Sequence, residues 1–159
     1  MRRRLGQRDR GQTLVEFALI LPIFVLVVFG IFDLGRAVYA YHTVNNAARE
    51  GGRLAIVDQT TANVQAEAAQ HAVALGVPAA TVVVDFRGIA TPDVVDSCDA
   101  LVASGKAASQ CVAFVRVPYT FTAATPIVGA IVGQIQIAGE TRFPIEYSCV
   151  EPGGSCAGG

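Results

Sequence analysis

Arg10-Gly11-Gln12-Thr13-Leu14-Val15-Glu16-Phe17-Ala18-Leu19-Ile20-Leu21-Pro22-Ile23-Phe24-Val25-Leu26-Val27-Val28-Phe29-Gly30-Ile31-Phe32-Asp33 is the stretch whose reading organises this chain. From Leu14 to Phe32 every residue but Glu16 is apolar or small. A helix from Glu16 to Asp33 rises about 25 Å at about 1.5 Å per residue. That is slightly short of a hydrocarbon core of about 30 Å, so one polar end is expected near an interface, or the bilayer thins locally. A carboxylate in such a segment is costly and is expected to be functional. Pro22 removes one backbone donor and is expected to kink the helix, a bend that membranes tolerate when neighbouring groups satisfy the freed carbonyl. A cleavable secretory signal is the competing reading. The stretch is long for one, and Val38-Tyr39-Ala40 only poorly approximates a cleavage site.

Before the span, Arg2, Arg3, Arg4, Arg8 and Arg10 have Asp9 as their only acidic companion. The positive-inside tendency keeps this leader, residues 1–11, in the cytoplasm and sends the rest of the chain outward. The expected topology is therefore single-pass in a membrane, with a cytoplasmic N-terminus and an extracytoplasmic C-terminal domain. The 159 residues are 52% hydrophobic and only 16% charged, with a net charge of −1. Such a balance removes the bulk electrostatic case for nucleic acid, whereas membrane lipid is an expected partner.

Beyond the span the pattern becomes amphipathic. Leu34, Val38, Tyr41, Val44, Ala48 and Ala55 recur at helical spacings, with Arg36, Asn45, Asn46, Arg49, Glu50 and Arg53 on polar faces. Ala37, Ala40, Ala47, Ala48, Gly51 and Gly52 make the helix narrow, although Gly51-Gly52 could equally end or bend it. One helix over residues 12–57 would be about 70 Å long, with its stripe covered in part by its own outer domain and otherwise by neighbouring subunits. Asp58-Gln59-Thr60-Thr61 reads as a break with a Thr cap, and Ala62–Leu75 as a second helix with Val64, Ala68, His71, Ala72 and Leu75 on one side, stopped by Gly76 and Pro78. Period-two alternation then marks strands at Thr81–Arg87 and Cys111–Thr122, around Ile135 and Ile137, and again through Phe143, Ile145 and Tyr147. Residues 88–110 read as a surface loop bracketed by cysteines. Phe121–Ile137 is apolar enough to suggest a second span, but its Thr, Pro, Gly and Gln content favours a loop and strand lying near the membrane or an assembly axis. The expected fold class is α+β: a long N-terminal transmembrane and amphipathic helix, then a small extracytoplasmic domain, residues 58–159, with one helix, an antiparallel sheet and a Gly-rich tail.

Cys98, Cys111, Cys149 and Cys156 all lie in the outward half, where an even count suggests disulfides. Three pairings are open; Cys98 with Cys111 and Cys149 with Cys156 are the local ones, and free buried thiols are the alternative. Zinc is disfavoured, because there is no close Cys pair and only two histidines, His42 and His71. Ser104, Ser109 and Ser148 stand in no nucleophile-elbow motif, and no phosphate loop appears. No catalytic, cofactor-binding or metal site is therefore expected. Arg49-Glu50 reads as an ion pair or a solvated face.

The run Arg10–Pro22, continuing through Gly30-Ile31-Phe32-Asp33-Leu34-Gly35-Arg36 to Asn45-Asn46-Ala47-Ala48-Arg49-Glu50-Gly51-Gly52-Arg53, resembles the TadE-like proteins of tight-adherence, or Flp, pilus systems. The likeness covers about a third of the chain and is weak in the outer half. It implies a pilin-like minor subunit or assembly factor, with other pilin-like subunits and the pilus assembly machinery as partners. It also implies a prepilin peptidase as processing enzyme, cutting between Gly11 and Gln12. Cleavage there would remove the arginines, leave the helix in the bilayer and free an α-amino group near the interface. Glu16 would become the fifth mature residue, available to pair with a neighbour's new amine. Glu16, Phe17, Pro22, Asp33, Arg36, Arg49 and Glu50 are the positions the resemblance marks for assembly or interaction.

The expected function is thus non-catalytic assembly of Flp-type pili by a membrane-anchored minor pilin or pseudopilin. A non-polymerising periplasmic binding component of the same apparatus is the alternative, and a membrane-tethered enzyme the remote one.

Overall fold

A single helix, α1, runs over Arg8–Ala55, 48 residues or about 72 Å, in a computed structural model that describes residues 8–107 and 110–146. The helix is unbroken at Pro22 and again at Gly51-Gly52. Two adjacent glycines cost a helix about 1 kcal/mol each relative to alanine. Here they are retained because the domain leaves no space for a methyl group. A Cβ on Gly51 would stand 2.9 Å from the Ala68 Cβ, and one on Gly52 would press into Thr141 and the Phe143 ring.

The two halves of α1 differ in what covers them. Its side chains are exposed from Gly11 to Phe29, as a span facing lipid requires. From Asp33 onward one face is buried: Asp33, Ala40, Val44, Ala47, Ala48, Gly51, Gly52 and Ala55. Leu34, Val38 and Tyr41, expected on the inward stripe, are exposed instead. Small residues take the buried face because the sheet approaches the helix axis closely; bulk, not hydropathy, decides which side turns inward.

The break after α1 is closed by Asp58 and not by a threonine cap. Its Oδ1 accepts the Thr60 N–H at 2.8 Å and its Oδ2 accepts Asn63 Nδ2 at 2.7 Å, whereas Thr60, the N-cap residue, makes no side-chain capping bond. Helix α2 spans Thr61–His71, shorter than expected. A 3₁₀ turn, Val73–Leu75, follows and ends at Gly76 in the left-handed region, φ 67°. Val64, Ala68 and Ala72 face the core as read from the sequence, but His71 is exposed and lies 3.2 Å from Glu67.

Three antiparallel strands form one sheet in the order β1 (Val83–Gly88), β2 (Cys111–Thr122), β3 (Gln134–Pro144). Val84 pairs with Val115, which pairs with Thr141; Val117 pairs with Gly139. The inward face carries Phe86, Ala113, Val115 and Val117 against α1 and α2. Gly139 sits where a Cβ would collide with the Val44 carbonyl. The two final strands expected from the alternation are one continuous strand, β3, whose small Ala138-Gly139 step interrupts the apolar rhythm at the point of closest helix contact. On the outward face the Phe114 ring lies between the guanidinium groups of Arg87 (4.0 Å) and Arg142 (5.4 Å).

The segment expected to be a plain loop contains a short helix, α3, Asp99–Ala103, which buries Val102. Cys98 and Cys111 form a disulfide, with Cα atoms 6.0 Å apart, tying this segment to the start of β2. Cys149 and Cys156 lie outside the described residues, as do Ser109, Tyr147 and Ser148. Between β2 and β3 stands a last short helix, α4, Pro126–Val132. Phe121–Ile137 therefore makes no second span; among the described residues α1 is the one helix long and apolar enough to cross a membrane.

Candidate membrane and assembly interface

The candidate positions follow α1 from one end to the other. Gly11 lies within the helix with nothing within 4 Å of where its Cβ would be. Gln12, Glu16 and Phe17 are exposed around it. Glu16 is exposed at the start of the apolar run. An apolar belt follows from Phe17 to Phe32, with Pro22 on the side that faces α4.

At the C-terminal end of the belt Asp33 is 4% exposed. Its Oδ1 accepts the Ala124 N–H at 2.9 Å and Arg36 Nη1 at 3.3 Å. Its Oδ2 accepts both the Thr125 N–H at 3.2 Å and the Thr125 hydroxyl at 2.5 Å. Four donors thus converge on one carboxylate. Arg36 also lies 5.6 Å from the centre of the Phe121 ring, so the last turns of β2 are held to the helix by a charge as well as by packing. Asp33 and Arg36, both marked from the sequence, come together here. Ala124, Thr125 and Phe121 were not marked. Their only signal is Thr125-Pro126, a helix start with Pro at N1, and that says nothing of a partner some ninety residues upstream.

Farther out, Arg49 is exposed, and Glu50 pairs with Arg53 at 2.9 Å and not with Arg49 as the adjacency suggested. Residues 49 and 50 cannot face each other on a helix, whereas 50 and 53 can. Leu34, Val38 and Tyr41 form an exposed apolar face continuous with the belt. The structure therefore spreads the marked residues along α1 in three groups: Gly11 to Phe17, Pro22 to Arg36, and Arg49-Glu50. No group of three or more His, Cys, Asp or Glu side chains among the described residues is placed to hold a metal ion.

An open groove of about 600 Å³ separates α1 from the β2–β3 connection. Its α1 wall is a stripe at helical spacing from Pro22 through Val25, Phe29 and Phe32 to Arg36. Its other wall is Ala124, Thr125, Pro126 and Val128.

No curated protein and no solved structure matches the chain. Over residues 11–53, which hold Gly11, the apolar belt, the Asp33–Arg36 pair and the Gly51-Gly52 contact, the chain matches the family model described as TadE-like protein.

Proposed function

We propose that this chain is a membrane-anchored minor pilin or pseudopilin that acts in the assembly of Flp-type pili and carries out no catalysis. The observation that carries this reading is the division of α1. Its first half exposes an uninterrupted apolar surface with a lone carboxylate, Glu16, at the end that follows the basic leader. Its second half is clamped into a small α+β domain. An unpaired carboxylate at the edge of a bilayer is costly, and the cheapest partner is the α-amino group of a neighbouring subunit cut between Gly11 and Gln12 by a prepilin peptidase. Gly11 suits such a cut, because nothing in the fold covers it. The uncovered face Leu34-Val38-Tyr41 extends the same contact surface outside the membrane.

The deciding measurement is the mature N-terminus, read separately on purified pili and on membranes. A start at Gln12 in both is expected; an intact start at Met1 or Arg2 overturns processing. Glu16→Ala should insert normally and fail to assemble, and normal piliation by that variant counts against the assignment.

A further inference from the structure

The β2–β3 connection leaves the sheet at Thr122 and returns at Gln134, two residues that pair with each other. Between them lie Ala-Ala-Thr-Pro-Ile-Val-Gly-Ala-Ile-Val-Gly, residues 123–133, without a single charge. Ile131 is 80% exposed and Val132 is also exposed. An uncharged tip that presents large aliphatic side chains loses roughly 25 cal/mol for every Å² of apolar surface left in water, and nothing in the described chain covers it.

Its position relative to α1 supplies the missing cover. Phe121 stands beside Arg36, Thr125 bonds Asp33, and Pro126 and Val128 face the stripe that descends through Phe29 and Val25 to Pro22. Successive residues of the connection thus meet successively deeper levels of α1, from the outer boundary of the apolar belt into the belt itself. Pro22 lies eleven residues, about 16 Å, inward of Asp33. The tip therefore hangs at the depth of the lipid, not above it.

Irregular backbone enters a bilayer at lower cost the more of its polar groups are satisfied, and at the root of this turn several are. The Ala124 and Thr125 N–H groups and the Thr125 hydroxyl all end on the Asp33 carboxylate. Pro126 has no N–H to satisfy, and the Gly129 and Gly133 N–H groups close on Thr125 and Gly129 carbonyls. Polar Thr120, Thr122, Gln134 and Gln136 sit at the base, where Thr120 and Gln136 side chains bond each other at 3.0 Å.

We infer that residues 123–133 form a wedge that inserts into the acyl region of the outer leaflet beside the protein's own anchor. Lipid chains fill the groove and cover Ile131 and Val132, and Asp33 acts as the polar stopper that lets the turn enter. The domain thereby gains a second membrane contact that restrains its tilt against the bilayer, which a single helix leaves free. The inference rests on α1 being the anchor.

The chain contains no tryptophan, so single-Trp variants report depth directly. Full-length Ile131→Trp, Phe24→Trp and Ile89→Trp would each be reconstituted in phospholipid vesicles with and without acyl-brominated lipid. Ile131 and Ile89 are both exposed, so neither change disturbs packing, and Ile89 follows the end of β1 farthest from the tip. Blue-shifted emission and bromine quenching are expected for Ile131→Trp, to an extent comparable with Phe24→Trp, while Ile89→Trp stays unquenched. If Phe24→Trp is quenched and Ile131→Trp behaves like Ile89→Trp, the wedge is overturned and the anchor stands. A blue shift at residue 131 without bromine quenching, the mark of burial against protein, overturns it equally. Absence of quenching at residue 24 overturns the anchor and the wedge together.

Discussion

The carboxylate of Asp33 holds Thr125 by two bonds, one to its amide and one to its hydroxyl, across 92 residues of sequence. This contact joins the C-terminal end of the apolar belt to the β2–β3 connection. Asp33→Asn keeps one acceptor oxygen and loses the charge; Asp33→Ala keeps neither. Amide hydrogen exchange at Ala124 and Thr125 should accelerate several-fold in the asparagine variant and further in the alanine variant, with little change at Val64 or Val115 in the core. Unchanged protection at residues 124 and 125 would show that the turn is held by other means.

Close approach of helix and sheet sets the second expectation. Gly→Ala changes usually stabilise by about 0.4–1 kcal/mol through the unfolded chain, but overpacking costs about 1–3 kcal/mol. At Gly139 the added methyl meets the Val44 backbone, which cannot turn aside, whereas at Gly52 it meets side chains of Thr141 and Phe143. Denaturation midpoints in micelles should therefore fall most for Gly139→Ala, less for Gly52→Ala and not at all for Gly35→Ala, where nothing lies within 4 Å.

The same close approach explains what the sequence disclosed and what it hid. The belt from Leu14 to Phe32 announces itself by length and composition, and β2 by strict alternation from Ala113 to Phe121; both are local signals. The inward face of α1 is not legible from hydropathy, because Leu34, Val38 and Tyr41 are more apolar than Ala40, Ala47 and Ala48, while the fold selects there for small size. Gly139 hid the continuity of β3 for the same reason. The Asp33 contact was beyond reach for another cause: the aspartate's place at the end of the belt was visible, but periodicity carries no information about a partner in a distant turn. The proposed cut after Gly11 rests on the family resemblance alone, since a lone exposed glycine in a helix has no signature of its own.

The Cys98–Cys111 bridge closes a loop with a sequence separation of 13, for which the chain-entropy estimate is about 3 kcal/mol. Cys98→Ser combined with Cys111→Ser should lower stability by about that amount in equilibrium unfolding. The effect should be largest in the α3 segment, whose Cys98 amide bonds the Phe86 carbonyl of β1. Treatment of the native chain with reductant should reproduce the shift. A loss under about 1 kcal/mol would mean that the packing of Val102 and the Cys98–Phe86 bond order the segment without the bridge.

Two aspartates outside the membrane respond to acid in opposite directions. For Asp58, partial burial pushes the carboxyl up, but hydrogen bonds from the Asn63 side chain, the Thr60 amide and the Thr60 side chain outweigh it and hold the group below its ordinary 3.8. Its contribution to stability is complete above 3.8 and disappears as pH falls through the lower folded value. Asp99 is raised above 3.8, first by burial and then by the charges of Asp96 and Asp85. Its ionised form costs stability at neutral pH, and that cost is relieved as pH falls through the raised value. Unfolding free energies measured from pH 7 to pH 2 should thus show a shallower acid decline for Asp58→Asn than for the native chain. Asp99→Asn should be slightly more stable than the native chain at pH 7, by less than about 1 kcal/mol after solvent screening, and the advantage should vanish below 3.8. A decline as steep in Asp58→Asn as in the native chain would remove the α1–α2 turn from the groups that set acid sensitivity.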